Sequence, residues 1–177
     1  MSEQTWDAEL VETLADLADP ASPNRAALAH LRRGLDGPPD YALGRVGWLF
    51  RRVPDSALSE AVLAAGLFAW VKGDCPHARL VNFGAAFGAG LTLDEKQRRE
   101  RRFIDLLDTD AQDLPYKLRQ AVTLIARDGV GLDWQLLIRH LRHWGHPERR
   151  VQKEWARGFW AVTEAETTTA NEQPVAE

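Results

Sequence analysis

The 177-residue chain is long enough for one domain or two small packed bundles, and 45% of it is hydrophobic, so a core forms without disulfides. Its one cysteine, Cys75, suits a reducing compartment; the opening MSEQTWDAEL has no secretory pattern and no apolar run nears the ~20 residues of a membrane span, so a cytoplasmic protein with no membrane contact is expected. The net charge of −4 hides an asymmetry: all 22 Lys and Arg lie between Arg25 and Arg157 against 16 acids, a net of +6, while the flanking ends hold ten acids and no cation.

Helical punctuation recurs along the chain and strand signals are nearly absent. Trp6, Leu10, Leu14 and Leu17, spaced four and three apart, predict a first helix over 5–17. Ser22-Pro23 reads as a cap followed by proline at the first helical position, opening a helix with Ala27, Leu28, Leu31 and Leu35 on one side. Gly34 and Asp36-Gly37-Pro38-Pro39 end it. Residues 41–50 are a short apolar segment whose pattern settles no structure. Pro54-Asp55-Ser56 opens a helix through about Val71, and residues 72–76 form a loop. The small apolar run LVNFGAAFGAGL (80–91) allows close helix approach, although its three glycines weaken an isolated helix.

Thr92 and Glu95 have capping-box spacing and start the next helix. Asp113 is placed as the cap of a helix with Pro115 in its first turn, running to Arg127 and stopped by Gly129 and Gly131. Asp133 caps the helix carrying Trp134, Leu137, Ile138, Leu141 and Trp144, which Gly145 stops. Pro147 is expected to begin the last helix, to about Val162. The predicted fold is all-α, as two small packed helical bundles over 1–78 and 79–163, followed by a polar acidic tail over 164–177 that is expected to be disordered.

A helical wheel sorts the cations by face. Arg25 and Arg32 lie a quarter-turn from the leucine face of the second helix, with Arg33 further round. Arg119, Thr123 and Arg127 share the outer side of 114–127, and Arg139 and Arg142 face outward with Gln135. Arg149, Lys153 and Arg157 recur every four residues opposite Val151, Trp155 and Val162, and Trp160 ends on their face. Guanidinium forks match phosphate oxygens and exposed aromatics stack on unpaired bases, so cations spread over four helices suggest a surface that follows a nucleic-acid strand. The competing reading is local pairing. Arg101 and Arg102 precede Asp105 by four and three residues, a spacing worth ~0.2–0.5 kcal/mol per pair.

Catalytic patterns are missing. The chain has no GxxxxGK[ST], HExxH or GxSxG, and no strand precedes the glycines of 84–90. His140, His143 and His146 are spaced by three, but Gly145 interrupts the helix before the third; a helix flank or a phosphate contact explains them better than a metal. Cys75-Pro76-His77 is too short to be a site alone. Asp108, Asp110 and Asp113 read as capping residues at a helix junction. The expectation is a binder, with no enzymatic activity, cofactor or metal.

NRAALAHLRRGL (24–35) followed by Trp48, then RRERRFIDLL (98–107), LPYKLRQAVTLI (114–125), LDWQLLIRHLRHWG (132–145) and a basic helix ending WARGFW appear in that order. Across residues 10–160 this series resembles the CasB family, the small subunit of the type I-E CRISPR surveillance complex, Cascade. The resemblance implies a non-catalytic two-bundle protein present as two copies alongside the other Cascade subunits. It would lie along the crRNA-bearing backbone and stabilise the R-loop formed with target DNA. The basic positions that match are Arg32, Arg33, Arg51, Arg52, Arg101, Arg102, Arg119 and the group after Trp144. Pro147 departs from the basic residue expected there, which moves contact to Arg149 or Arg150. With the outward-facing Arg142 and Lys153, these are the candidate nucleic-acid-binding residues. The acidic ends are no feature of that family. The alternative is a helical adaptor that binds only protein and uses its arginines in ion pairs.

Overall fold

The computed structural model describes residues 5–38 and 40–161. Among them the chain is helical, apart from one isolated parallel bridge between His77 and Leu132. The α-helices are α1 (Trp6–Leu17), α2 (Arg25–Gly34), α3 (Tyr41–Val46), α4 (Leu58–Trp70), α5 (Phe83–Gly88), α6 (Leu93–Leu107), α7 (Leu114–Arg127), α8 (Trp134–Leu141) and α9 (Arg150–Trp160). The undecided segment 41–50 is α3 followed by a 3-10 turn, Gly47–Phe50, and Asp55–Ala57 forms a second 3-10 turn leading into α4. The acidic tail expected after residue 163 lies outside the described residues.

Several helix starts follow the sequence signals and three do not. Thr92 and Glu95 form both arms of the capping box, and Asp133 Oδ1 accepts from Leu136 N at 2.9 Å. The cap of α2 is Asn24 rather than Ser22, with Oδ1 accepting from Ala27 N at 3.1 Å, so Pro23 stays outside the helix. Asp113 precedes α7 but makes no cap bond, because its backbone is already helical (φ −93°, ψ −9°) and not extended as a cap requires. Pro147 sits in a turn closed by Arg149 N donating to His146 O at 2.8 Å; Arg149 is left-handed (φ 51°), and α9 begins only after it.

One hydrophobic cluster runs through the described residues. Helix α4 is its axis. Ala61, Ala64, Ala65, Gly66, Leu67, Phe68 and Ala69 are buried, and the helix packs on α1, α2, α7 and α8. The connection after α4 is pinned to the start of α8. Trp134 Nε1 donates to the Cys75 carbonyl at 2.8 Å, and Leu80 N donates to Asp133 Oδ2 at 2.8 Å. Asp7, 4% exposed, ties α1 to α8. Its carboxylate accepts from Arg139 Nε at 2.7 Å and Gln135 Nε2 at 3.0 Å, so Arg139, although it stays exposed as expected, is bound in an ion pair, and the half-buried Gln135 reaches back to α1. Burial would raise the Asp7 pKa, but hydrogen bonds with Thr5, Arg139 and Gln135 outweigh it and hold the carboxyl below 3.8.

The second half is built on the small-residue run. A Cβ on Gly84 would run into the Trp155 carbonyl, and one on Gly158 would meet Asn82 Oδ1 at 2.5 Å and Ala85 N at 2.8 Å. Backbone-close crossing of α5 and α9 brings aromatic rings into register. Phe83 stacks on Trp155 with centroids 4.5 Å apart, and Phe159 on Phe103 at 4.2 Å, which seats α6. His140 is buried in the α8–α9 seam instead of lying on a helix flank. Its Nδ1 accepts from Trp155 Nε1 at 2.8 Å, which places the imidazole proton on Nε2, 3.3 Å from Glu154. Burial lowers its pKa below 6.5, and the carboxylates of Glu154 and Asp133 pull the other way without prevailing.

Two measurements check this packing. Gly158→Ala should lower the thermal midpoint, with overpacking costing about 1–3 kcal/mol, although alanine favours an isolated helix. Because the folded state holds His140 neutral, its contribution to stability is complete above pH 6.5 and is lost as pH falls through the lower folded-state value. Urea unfolding should therefore show the wild type losing ground to His140→Gln between neutral pH and about pH 5. A constant difference across that range would refute the buried neutral imidazole.

Candidate nucleic-acid interface

The cations separate into those spent on internal ion pairs and those free of them. Arg32 and Arg33 occupy the last turn of α2, and Arg51 follows the 3-10 turn. Arg101 and Arg102 are exposed on α6 beside the buried Phe103, Arg142 follows α8, and Lys153 is exposed on α9. None of these seven side chains makes an ion pair or hydrogen bond among the described residues. The pairing of Arg101 or Arg102 with Asp105 is therefore absent there. Their neighbours do pair: Arg98 with Asp94, and Arg99 with Asp128 at 2.7 Å.

Four candidates are tied to acids. Arg52 Nη1 reaches both Glu9 oxygens at 2.8 Å. Arg149 Nη2 binds Asp108 at 2.8 Å and the Leu107 carbonyl at 2.7 Å, so it closes the α6–α9 corner and leaves the stripe of Lys153 and Arg157. Arg150 pairs with Glu148 two residues before it. Arg119 spans the two halves of the chain. Its fork holds Asp36 at 2.6 and 3.2 Å, its guanidinium lies 5.0 Å from the Trp70 ring centroid, and its side chain is 20% exposed.

Around Arg119 the fold builds a groove of about 410 Å³, lined by Trp70, Arg102, Arg119, Gln120, Ala121, Thr123 and Leu124. A second groove of about 280 Å³ shares Trp70 and Thr123 and adds Lys72, Asp74 and Arg127. Residues from α4, α6, α7 and the loop after α4 thus meet at one cationic strip, with Arg102, Lys72 and Arg127 free of ion pairs among the described residues. Of the candidates, Arg102 and Arg119 meet here. Arg51 and Arg52 meet in another groove with Trp6, Trp48 and Glu9, and Arg149 lines one with Asp108 and Asp110. Arg32, Arg33, Arg101, Arg142, Arg150 and Lys153 line none of these four.

Trp70, Lys72 and Arg127 were missed as site residues. Arg127 was legible on the Arg119 face, but Trp70 ends a helix so apolar that its sequence reads as core throughout. The strip offers anion binding by fixed cations beside an aromatic. The reactive residue types lie elsewhere: Cys75 is buried and its thiol is pushed up to about 12. Among the described residues no three His, Cys, Asp or Glu side chains converge as a metal site, and no helix is long and apolar enough to cross a membrane.

Residues 27–160 match the family described as CRISPR-associated protein Cse2. A CRISPR-associated protein Cse2 from Thermus thermophilus is 40% identical over 67 residues, a match spanning 38% of this chain and 38% of that relative. The crystal structure of M. ruber CasB is 31% identical with a TM-score of 0.66, over 96% of this chain and 99% of that one. A chain of a CRISPR RNA-guided surveillance complex, 24% identical, shares the fold with a TM-score of 0.69 over 94% of this chain and 98% of that one.

The internal pairs make a separable prediction. Arg119→Ala should lower stability by about 1–2 kcal/mol, through the partly exposed pair with Asp36 and the Trp70 contact. Arg102→Ala should stay within about 0.5 kcal/mol of wild type. Equal losses in urea unfolding would contradict this division of the cations.

Proposed function

The chain belongs to the Cse2 (CasB) family of CRISPR-associated proteins, and from that premise we propose that it is the non-catalytic small subunit of a type I-E Cascade surveillance complex whose cationic strip rests on nucleic-acid backbone. The observation that carries the reading is the meeting of Arg102, Lys72 and Arg127 beside the exposed Trp70, without acid partners among the described residues. Family membership supports placement among other Cascade subunits; the proposal further places a second copy of this chain beside it and the assembly in the cytoplasm.

The chemistry asked of the protein is modest. Forming a guide–target hybrid nearly balances the loss of the target duplex, so a few backbone contacts tip the exchange toward the R-loop. Sequence is read by the crRNA, and the protein needs only cations at phosphate spacing. Each contact releases counterions, so binding weakens steeply with salt. A protein-only adaptor is the second reading. It is favoured by the ion pairs of Arg52, Arg119 and Arg149, and by an apolar groove of about 350 Å³ lined by Leu35, Leu43, Leu58, Val62, Leu63 and Pro115.

Charge reversal at Arg102, Lys72 and Arg127 decides between them. In a complex reconstituted with guide RNA, the triple variant should still assemble. Its R-loops should dissociate faster, and the slope of log affinity against log salt should shrink by about one per lost contact. Unchanged R-loop lifetime and slope would leave the adaptor.

A further inference from the structure

Trp70 ends the buried α4, yet the residue is 39% exposed and shared between the two grooves. An indole left half in water at the end of a core helix costs burial energy, and the surrounding contacts hold it there. Its Nε1 donates to Thr123 Oγ1 at 3.0 Å, and Thr123 Oγ1 itself donates to the Arg119 carbonyl at 2.7 Å. The Arg119 guanidinium, fixed by Asp36, covers one face of the ring. The ring orientation is thus set before any ligand arrives, so ordering it on binding costs little.

We propose that Trp70 is a stacking platform for an unpaired nucleobase of single-stranded nucleic acid, with Lys72 and Arg127 taking the flanking phosphates. Arg119 lines the first groove and occupies the ring on that side. The base takes the side belonging to the second groove, where Lys72 and Arg127 stand. A cation behind the ring and cations beside it suit a base carrying its own phosphates, and every base has a π-face, so the site is indifferent to sequence. Trp48, 51% exposed, lacks this setting, because Arg52 beside it is already bound by Glu9, whereas Asp74 lines the Trp70 groove without pairing Lys72 or Arg127. The inference rests on the nucleic-acid reading above but adds a contact that phosphate binding alone does not need.

The test compares a short oligothymidylate with a strand of equal length made of abasic sites, which keeps the phosphates and removes the bases. Anisotropy titrations of the full-length chain at low salt should show the oligothymidylate bound more tightly by roughly 5- to 100-fold. Trp70→Leu should bind both strands at the abasic level, and Trp70→Phe should keep most of the preference. Independently of any variant, a strand carrying 5-iododeoxyuridine should crosslink on irradiation to the peptide that contains Trp70. Equal affinity of the wild type for the two strands, a preference surviving in Trp70→Leu, or crosslinks that avoid Trp70 would overturn the stacking site and leave phosphate binding standing. No binding of either strand would overturn both. Loss of assembly with partner subunits in Trp70→Leu, with strand binding intact, would assign Trp70 to a protein interface instead.

Discussion

The structure depends on a helix that has almost no polar side. Along α4, Ala61, Ala64, Ala65 and Ala69 alternate with Leu67 and Phe68, so the cylinder is thin and apolar nearly all round. A helix of that kind finds stability only inside, and its small side chains let neighbours approach from several directions. Helices α1 and α2 take one part of its surface and α7 and α8 another, which makes one core of residues far apart in sequence. Where α4 emerges, Trp70 is carried to the surface between α7 and the loop that follows.

The second half achieves closeness differently. At the α5–α9 crossing the backbones themselves touch, since Gly84 and Gly158 leave no Cβ between them and their neighbours. Close backbones then let rings stack from Phe83 and Trp155 across to Phe87, Phe103 and Phe159. Phe103 and Leu106 are buried members of α6, and Arg102, beside Phe103 in the chain, is exposed and lines the Trp70 groove. A cation on the outside is positioned by an aromatic stack on the inside.

Charge follows the same division of labour. An acidic chain presents a cationic strip because its arginines are used for two jobs. Arg139, Arg119 and Arg149 join elements distant in sequence through Asp7, Asp36 and Asp108; one partner is largely buried in the first two pairs, and both are exposed in the third. Arg102, Lys72 and Arg127 stand with no such partner among the described residues, so their charge is left for an external anion. Arg119 belongs to both groups, as a strut between the halves and as one side of the groove.

The sequence by itself determined the helical class, most helix limits, the inward faces and the family resemblance, because 3.6-residue periodicity, caps and glycine stops are local and act within a few residues. It also marked the run 80–91 as a place of close approach, since small side chains are legible without knowing what comes near. It misplaced the start of α9 and left Arg139 and Gln135 without their partner, because a left-handed residue after Pro147 and a buried Asp7 more than a hundred residues away leave no local trace. Which basic residues are spent and which are free was decided only by tertiary structure. The pairs Arg119–Asp36, Arg52–Glu9 and Arg149–Asp108 join groups more than forty residues apart, and a helical wheel places a side chain on a face without saying what stands opposite it. The exposed end of α4 was hidden for the same reason: composition reads that helix as core, and only the packing of its neighbours stops short of Trp70.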